Sequence, residues 1–479
     1  MRPWIRNSLI FIVLVAVIIV GALYFLLRGQ TSAYSLEELS GPYPVISDPR
    51  PENFPTINVA DVVGWADDDK PTAADGLVVS RFAEGLDHPR SLYRLPNGDI
   101  LVAETNSPPR ENSGIEGWVF KNLIAKAGAG TASANRISLL RDTDGDGAVD
   151  QKTVFLKGLN SPFGMALVGD TFYVANTDAV LAFAYKEGAT SIASEGKKIA
   201  ELNDSAPNNH WTRNLVASPD GTSLFVAVGS NSNIGENGMD SEERRAAIIE
   251  IKLDEGNKSR VFASGLRNPV GMDFHPITGE LWTVVNERDL LGPDLVPDYL
   301  TEVQLGIQYG WPYYYWGGYE DKRVNPPPRR DESRYVRRPN YALGAHTAPL
   351  GLVFTREDEN AFCKTFANGA FVARHGSWNR KPASGYDVVF IPYAEDGEPI
   401  ARPNEENVND KAGLPINVLT GFLADNGDAK GRPTMVGFDS QGALLVTDDV
   451  AGIIWRVTPV AGSCASSTNA PDDALEGKS

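Results

Sequence analysis

The chain has 479 residues, a formal charge of −18, and 46 glycines and 32 prolines against an ordinary 9% of aromatics. So acidic a surface repels nucleic acid and anionic lipid, which excludes a partner bound through the overall field. The frequent Gly and Pro suit many strands and tight turns, and the length allows one large β domain.

Residues 9–27 are uncharged and almost wholly apolar. About 20 helical residues cross a hydrocarbon core of about 30 Å. Arg2 and Arg6 precede the run and acidic sequence follows Arg28, so the N-terminus is expected in the cytoplasm and the bulk outside it. Residues 1–28 are read as an uncleaved membrane anchor. The competing reading is a cleaved signal peptide with Thr31-Ser32-Ala33 as its small-residue site, although such leaders usually carry about 7–15 apolar residues. Residues 29–74, rich in Pro, Asp and Glu, are expected to be a tether laid along the domain.

Residues 75–460 hold six copies of one plan: a short polar step, an apolar run, a Gly- or Pro-containing turn, and a second apolar run. The copies begin at Gly85, Gly158, His210, Gly265, His346 and Gly431. The clearest is GLRNPVGMDFHPITGELWTVVNE, residues 265–287. A spacing of about 50–85 residues is that of propeller blades with insertions, so the fold is expected to be an all-β six-bladed propeller. GLVVSRFAE precedes the first copy and reads as a strand. Its residues 77–82 are expected to close the ring against residues 452–459.

Three insertions stand out. Residues 106–135 interrupt the first blade, and 115–127 within them are expected to form a covering helix. DTDGDGAVD, residues 142–150, places Asp142, Asp144, Asp146 and Asp150 as in the first half of a calcium loop. The twelfth position is Thr153 and no flanking helices are evident, so an EF-hand is excluded. A structural calcium site and a plain acidic turn both remain open. Residues 326–341, PPPRRDESRYVRRPNY, are expected before the fifth blade as a lid or a solvated loop. Cys363 and Cys464, the two cysteines, are expected to pair outside the cytoplasm. Residues 461–479 form a polar tail.

In a propeller the innermost strand of every blade starts at the same end of the channel, so the polar steps before these strands must converge on one mouth. They bring His88, Arg90, Asn160, His210, Arg213, Asn214, Arg267, Asn268, His346 and Arg432. Several cations at one rim of an acidic protein suggest a compact polyanionic ligand. His210, in NNHWTRN, can serve there as a base near neutral pH or rest on a backbone carbonyl.

Across residues 75–459 the sequence resembles the soluble pyrroloquinoline-quinone (PQQ)-dependent sugar dehydrogenases, in particular the sorbosone or pyranose dehydrogenases. The motifs that carry this are NNHWTRNLVASPDG, GLRNPVGMDFHP, VVNERD, DYLTEVQLGIQYGWPYYYWGG, ALGAHTAPLGLVF, ARHGSWNR and GRPTMVGFDSQGALLVTDD. The resemblance implies a propeller that binds PQQ and Ca²⁺ over the mouth and oxidises a sugar. It implies His210 as the base. Arg267, Asn268, Arg432 and either Arg380 or Lys381 would hold the cofactor, and Asn286, Glu287 and Asp289 the catalytic calcium. Trp311, with the neighbouring tyrosines, would stack on the ring or the sugar. Three departures touch this: Ser230 stands where glucose-oxidising relatives place an Asp, Thr434 where they place a second cofactor arginine, and Glu287-Arg288 where they place Gly-Pro. The sugar and the electron acceptor, a quinone or a cytochrome, are not named by the sequence. Other functions on such a ring are a non-catalytic carbohydrate- or protein-binding module and a calcium-dependent lactonase.

Overall fold

The computed structural model describes residues 28–460, except 53–54, 110–125, 129, 326–331, 357–361, 363 and 401–412, with a few residues between 4 and 21. Both cysteines, the tail 461–479 and most of the helix expected at 115–127 lie outside the described residues. Among the described residues no helix is long and apolar enough to cross a membrane, so the expected anchor has no counterpart there. Of the run 9–27, only residues 11, 13–18 and 21 are described, and they are helical.

The alternating apolar runs form six antiparallel blades. Blade 1 comprises Pro89–Arg94, Ile100–Glu104, Arg136–Arg141 and Gln151–Lys157. Blade 2 comprises Met165–Val168, Thr171–Ala175, Ala179–Ala184 and Lys197–Glu201. Blade 3 comprises Leu215–Ala217, Ser223–Val228, Ala247–Lys252 and Lys258–Ser264. Blade 4 comprises Asn268–Phe274, Leu281–Asn286, Pro297–Val303 and Tyr341–Ala345. Blade 5 comprises Pro349–Phe354, Gly369–Arg374, Asp387–Pro392 and Ile416–Thr420. Blade 6 takes Pro433–Phe438, Leu444–Asp448 and Ile453–Pro459 from the C-terminal end and Leu77–Ala83 from the N-terminal end. The ring closes there, with Val79 opposite Val457 and Leu77 opposite Pro459, as expected from the sequence.

Apolar side chains fill the seam between each pair of successive blades. Phe225 and Ile248 meet Met272 and Tyr299 between blades 3 and 4, and Phe371 and Phe390 meet Phe438 and Trp455 between blades 5 and 6. The inner strands approach one another closely enough to require glycine. A Cβ on Gly271 would lie 2.8 Å from the Leu352 nitrogen and 2.9 Å from the Gly351 carbonyl carbon. Phe163, Val270, Leu350 and Met435 then plug the channel. Below the plug, at the far end, is a cavity of about 340 Å³ lined by Tyr93, Ala217, Asp273, Arg356 and Phe438. Its lining runs along the inner strands and reaches Met165, Asn214 and Leu215 at the starts of those of blades 2 and 3, but it holds none of His210, Arg267 and Arg432.

Two further features extend the sequence reading. Residues 29–74 are built into the ring: Ser40–Gly41 adds a fifth strand to blade 4 and Thr72–Ala73 a fifth to blade 5, covering both edges. Trp65 anchors the segment further, edge-on to Phe422 and Trp455, with its Nε1 donating to Asp448 at 2.9 Å. Of the insertion 326–341, the described residues 332–341 lie inside blade 4 rather than before blade 5, because YALGA pairs with that blade's third strand. Tyr341 faces Leu300 and Arg337 pairs with Glu302, at the end of the sheet away from the mouth. The described part, from residue 332 onward, therefore joins the far end and does not cover the mouth.

Candidate active site

His210 lies on the step into blade 3, half-buried at the channel mouth. Its Nδ1 lies 2.8 Å from the Ser230 carbonyl oxygen and 3.0 Å from Ser230 Oγ. A carbonyl only accepts, so Nδ1 carries the proton and Nε2 is left as a lone pair. Ser230 Oγ donates to the Ser232 carbonyl at 2.6 Å, which leaves it an acceptor toward Nδ1. The Asp that glucose-oxidising relatives are expected to use is thus replaced by a main-chain oxygen. Arg245 braces the arrangement from behind, donating to the carbonyls of Gly229 and His210 at 2.9 Å each. Arg213, which the spacing put on the rim, is fully buried and donates to the His210 and Asn203 carbonyls at 2.7 and 2.8 Å. Gly229 permits the contact of blades 3 and 4, since a Cβ there would come within 2.3 Å of Asn268 Oδ1 and 2.5 Å of His210 Cβ.

Burial, then the positive charges of Arg267 and Arg245, push the His210 imidazole well below its ordinary value. It is neutral at physiological pH, and its free nitrogen can accept a proton. Burial alone would raise Asp289, but hydrogen bonding to His346, the charge of Arg267 and the Asn379 amide hold it well below the carboxylate range. Burial would lower His346, but the same carboxylate, with Nδ1 and Oδ1 3.6 Å apart, holds it above its usual value.

The rim continues through named contacts. Asn379 of blade 5 donates to Asp289 Oδ1 at 2.9 Å. On the same loop, His375 Nε2 lies 3.1 Å from Asp449 of blade 6. Arg432 donates from Nε and Nη2 to the carbonyls of His375 and Gly376, at 3.2 and 2.8 Å, and lies over the Tyr386 ring. Arg90 of blade 1 donates to Asp449 at 2.5 Å and stacks over Trp211, the neighbour of His210. His210, Arg267 and Arg432 thus share one mouth, with Asn268 beside them.

Other expected site residues are engaged elsewhere. Arg380 is 2% exposed and donates to the carbonyls of Pro293, Pro382 and Tyr34 and to Ser32 Oγ, and Lys381 reaches the Arg28 carbonyl at 3.1 Å. Both hold the N-terminal segment on the rim and are not presented to a ligand. Trp311 is buried, and its Nε1 donates at 2.9 Å to the Asn233 carbonyl, the oxygen that also accepts from Arg267 Nε. Arg267 is buried with every N–H on a protein oxygen: Nε on Asn233 O at 3.2 Å, Nη1 on Asn286 O at 3.4 Å and Glu287 O at 2.7 Å, Nη2 on Asn233 Oδ1 at 2.9 Å and Asp289 Oδ2 at 3.1 Å. Asn286 Nδ2 donates to the Pro349 carbonyl at 2.8 Å, and the Glu287 carboxylate is held by Arg288 at 3.0 Å. The oxygens expected to bind calcium therefore surround a guanidinium.

Asp142, Asp144 and Asp146 do present oxygens within 4.8 Å of one another, in the outer hairpin of blade 1 at the far end of the ring. Asp150 does not join them, since its Oδ2 accepts from Thr143 N and Oγ1 at 2.7 and 2.6 Å. Among the described residues this is the one acidic group with metal-ligand spacing.

The family model described as TrAA12-like matches residues 71–296 and 329–467. The chain belongs to that family. A PQQ-dependent sugar dehydrogenase of Hypocrea jecorina is 23% identical over 436 residues, which cover 80% of this chain and 88% of that protein. An uncharacterised protein of Borreliella burgdorferi is 28% identical over 401 residues, covering 80% and 94%. The PQQ domain of the Coprinopsis cinerea pyranose dehydrogenase, solved in its holo form, has the same fold, with a TM-score of 0.62 at 20% identity over 84% of this chain and all of that one.

The TrAA12-like site held residues that the sequence argument missed: Asn233, Arg245, His375, Asn379 and Asp449. Most follow the ends of second strands, after Val228, Arg374 and Asp448, and in antiparallel sheets these ends lie at the same mouth as the starts of the inner strands. Applying the convergence rule to both strands would have found them.

Proposed function

We propose that the protein oxidises a sugar of the aldose, pyranose or sorbosone type with PQQ bound at this mouth. The observation that carries the proposal is His210, with Nδ1–H fixed on the Ser230 carbonyl and a neutral Nε2 at a cationic rim. The PQQ-dependent relatives support the cofactor. The donor set fits a planar tricarboxylate: Arg90 Nε is buried without a partner, and Arg432 keeps Nη1 uncommitted beside Tyr386. Arg90, Arg432 and the Asn268 side chain would hold the cofactor.

When bound, the quinone supplies a two-electron acceptor for hydride. His210 Nε2 takes the hydroxyl proton from the sugar carbon that gives up the hydride, so that the C–O bond becomes a carbonyl. The Ser230 carbonyl keeps the ring oriented throughout and stabilises the imidazolium that forms. Arg267 and Arg245 make that imidazolium acidic, so the proton is readily returned to solvent. Asp289 offsets part of this repulsion.

The proposal includes anchorage by residues 9–27 with the propeller outside the cytoplasm. The uncharged run and the flanking Arg2 and Arg6 support it. Fractionation and protease accessibility in intact cells test it; a cytosolic, protease-protected propeller refutes it. The activity is tested by reconstitution with PQQ and dye reduction across an aldose panel. Dye reduction dependent on both quinone and sugar is expected. Quinone binding without turnover of any sugar refutes the dehydrogenase, and lactone hydrolysis without quinone assigns a hydrolase instead.

A further inference from the structure

The loop that leaves the second strand of blade 4 gathers oxygens around one point. Asn286 O, Glu287 O, Asp289 Oδ2, Asn233 O and Asn233 Oδ1 all accept from Arg267, at 2.7 to 3.4 Å. Such a set of carbonyls with one carboxylate is typical of a hard divalent cation, which takes about six to eight oxygens at about 2.3–2.6 Å. Here a guanidinium is at their centre, only 5% exposed, with all five N–H groups engaged.

We infer that Arg267 is the built-in cation of this mouth, so that the site assembles and takes its quinone without calcium. The inference rests on the quinone proposal only for its second half.

The surrounding carboxylates leave no anion for a metal. Asp289 Oδ1 accepts from Asn379 and faces His346. Glu287 Oε2 accepts from Arg288 N and Nε at 3.1 and 3.0 Å. Asp298 accepts from the Glu287 and Ala348 nitrogens at 2.8 and 2.9 Å. A dication entering here would face Arg267 at contact distance, with each of these oxygens already bonded. Displacing the guanidinium would strand a permanent charge in a buried place, since arginine does not lose its proton there. The sequence change that accompanies this is Glu287-Arg288. Arg288 is fully buried and donates to the Pro312 and Tyr314 carbonyls at 2.7 and 2.6 Å, which fixes the loop with its carbonyls turned to Arg267.

The test uses full-length chain dialysed against chelator, carrying Asp144→Asn and Asp146→Asn to silence the acidic hairpin of blade 1. Calorimetric titration with calcium is expected to give no stoichiometric binding, and a site of micromolar affinity overturns the inference whether or not the quinone binds. PQQ is then titrated against tryptophan fluorescence with and without calcium. Affinities equal within about twofold are expected, and a tenfold tightening by calcium overturns the inference. Failure of PQQ to bind under both conditions refutes the quinone proposal and leaves the calcium titration as the deciding measurement.

Discussion

Replacing His210 by Ala separates catalysis from folding. The substitution removes the free nitrogen at the mouth and one hydrogen bond, from Nδ1 to the Ser230 carbonyl. That carbonyl is not orphaned, because Arg245 Nη2 still reaches it at 3.2 Å. The His210 carbonyl keeps both arginine donors, which bind the main chain. The folding cost is therefore that of a single exchanged hydrogen bond, about 0.5–1.5 kcal/mol. Loss of a general base slows proton transfer by about 10²–10⁴-fold, equivalent to about 3–5 kcal/mol of barrier. We expect PQQ affinity within a few-fold of the parent, a Tm lowered by a few degrees, and a single-turnover rate of dye reduction lower by at least two orders of magnitude. In the parent, the depressed value of His210 predicts no loss of rate as pH falls from 8 to 6.5, because the imidazole stays neutral across that range. A variant that binds PQQ and turns over within threefold of the parent refutes the assignment. So does a loss of rate near pH 7 that persists in His346→Gln, since His346 is the mouth imidazole held above its usual value.

Three other outcomes follow from the structure. Gly271→Ala puts a Cβ 2.8 Å from the Leu352 nitrogen, a main-chain contact no rotamer can relieve; it should cost about 1–3 kcal/mol or more by overpacking, and an unchanged urea midpoint would contradict the close approach of the inner strands. His375 is lowered to about 4, by burial first and then by the charge of Arg432. The unfolded chain binds this proton first, so stability falls as pH drops from about 6.5 toward 4, by about 2 kcal/mol between pH 7 and 5. His375→Gln should flatten that slope in urea denaturation, and an identical slope would exclude His375 as its source. Trp65→Phe keeps the ring but removes the donor to Asp448, whose pKa burial raises to about 6; it should cost about 1–3 kcal/mol and open residues 29–74 to limited proteolysis, and an unchanged cleavage pattern would show that Trp65 does not secure them.

The sequence alone determined the ring and its mouth. Alternating apolar runs specify strands wherever they occur, and six such pairs with the same polar lead-in specify six blades. Closure by residues 77–82 was legible because a strand without a partner precedes the first repeat. The convergence of His210, Arg267 and Arg432 follows from topology, since every inner strand begins at the same end. What each side chain bonds to once it arrives was not legible. Arg267, Arg380 and Trp311 read as ligand-binding residues because their type and position suited that role. Whether a guanidinium meets a ligand or five protein oxygens depends on loops tens of residues away, such as Asn233, Asn286–Asp289 and the segment at Ser32. Only the packing of blades 3, 4 and 5 brings those oxygens within 3.5 Å, whereas Arg90 keeps a buried Nε without a partner.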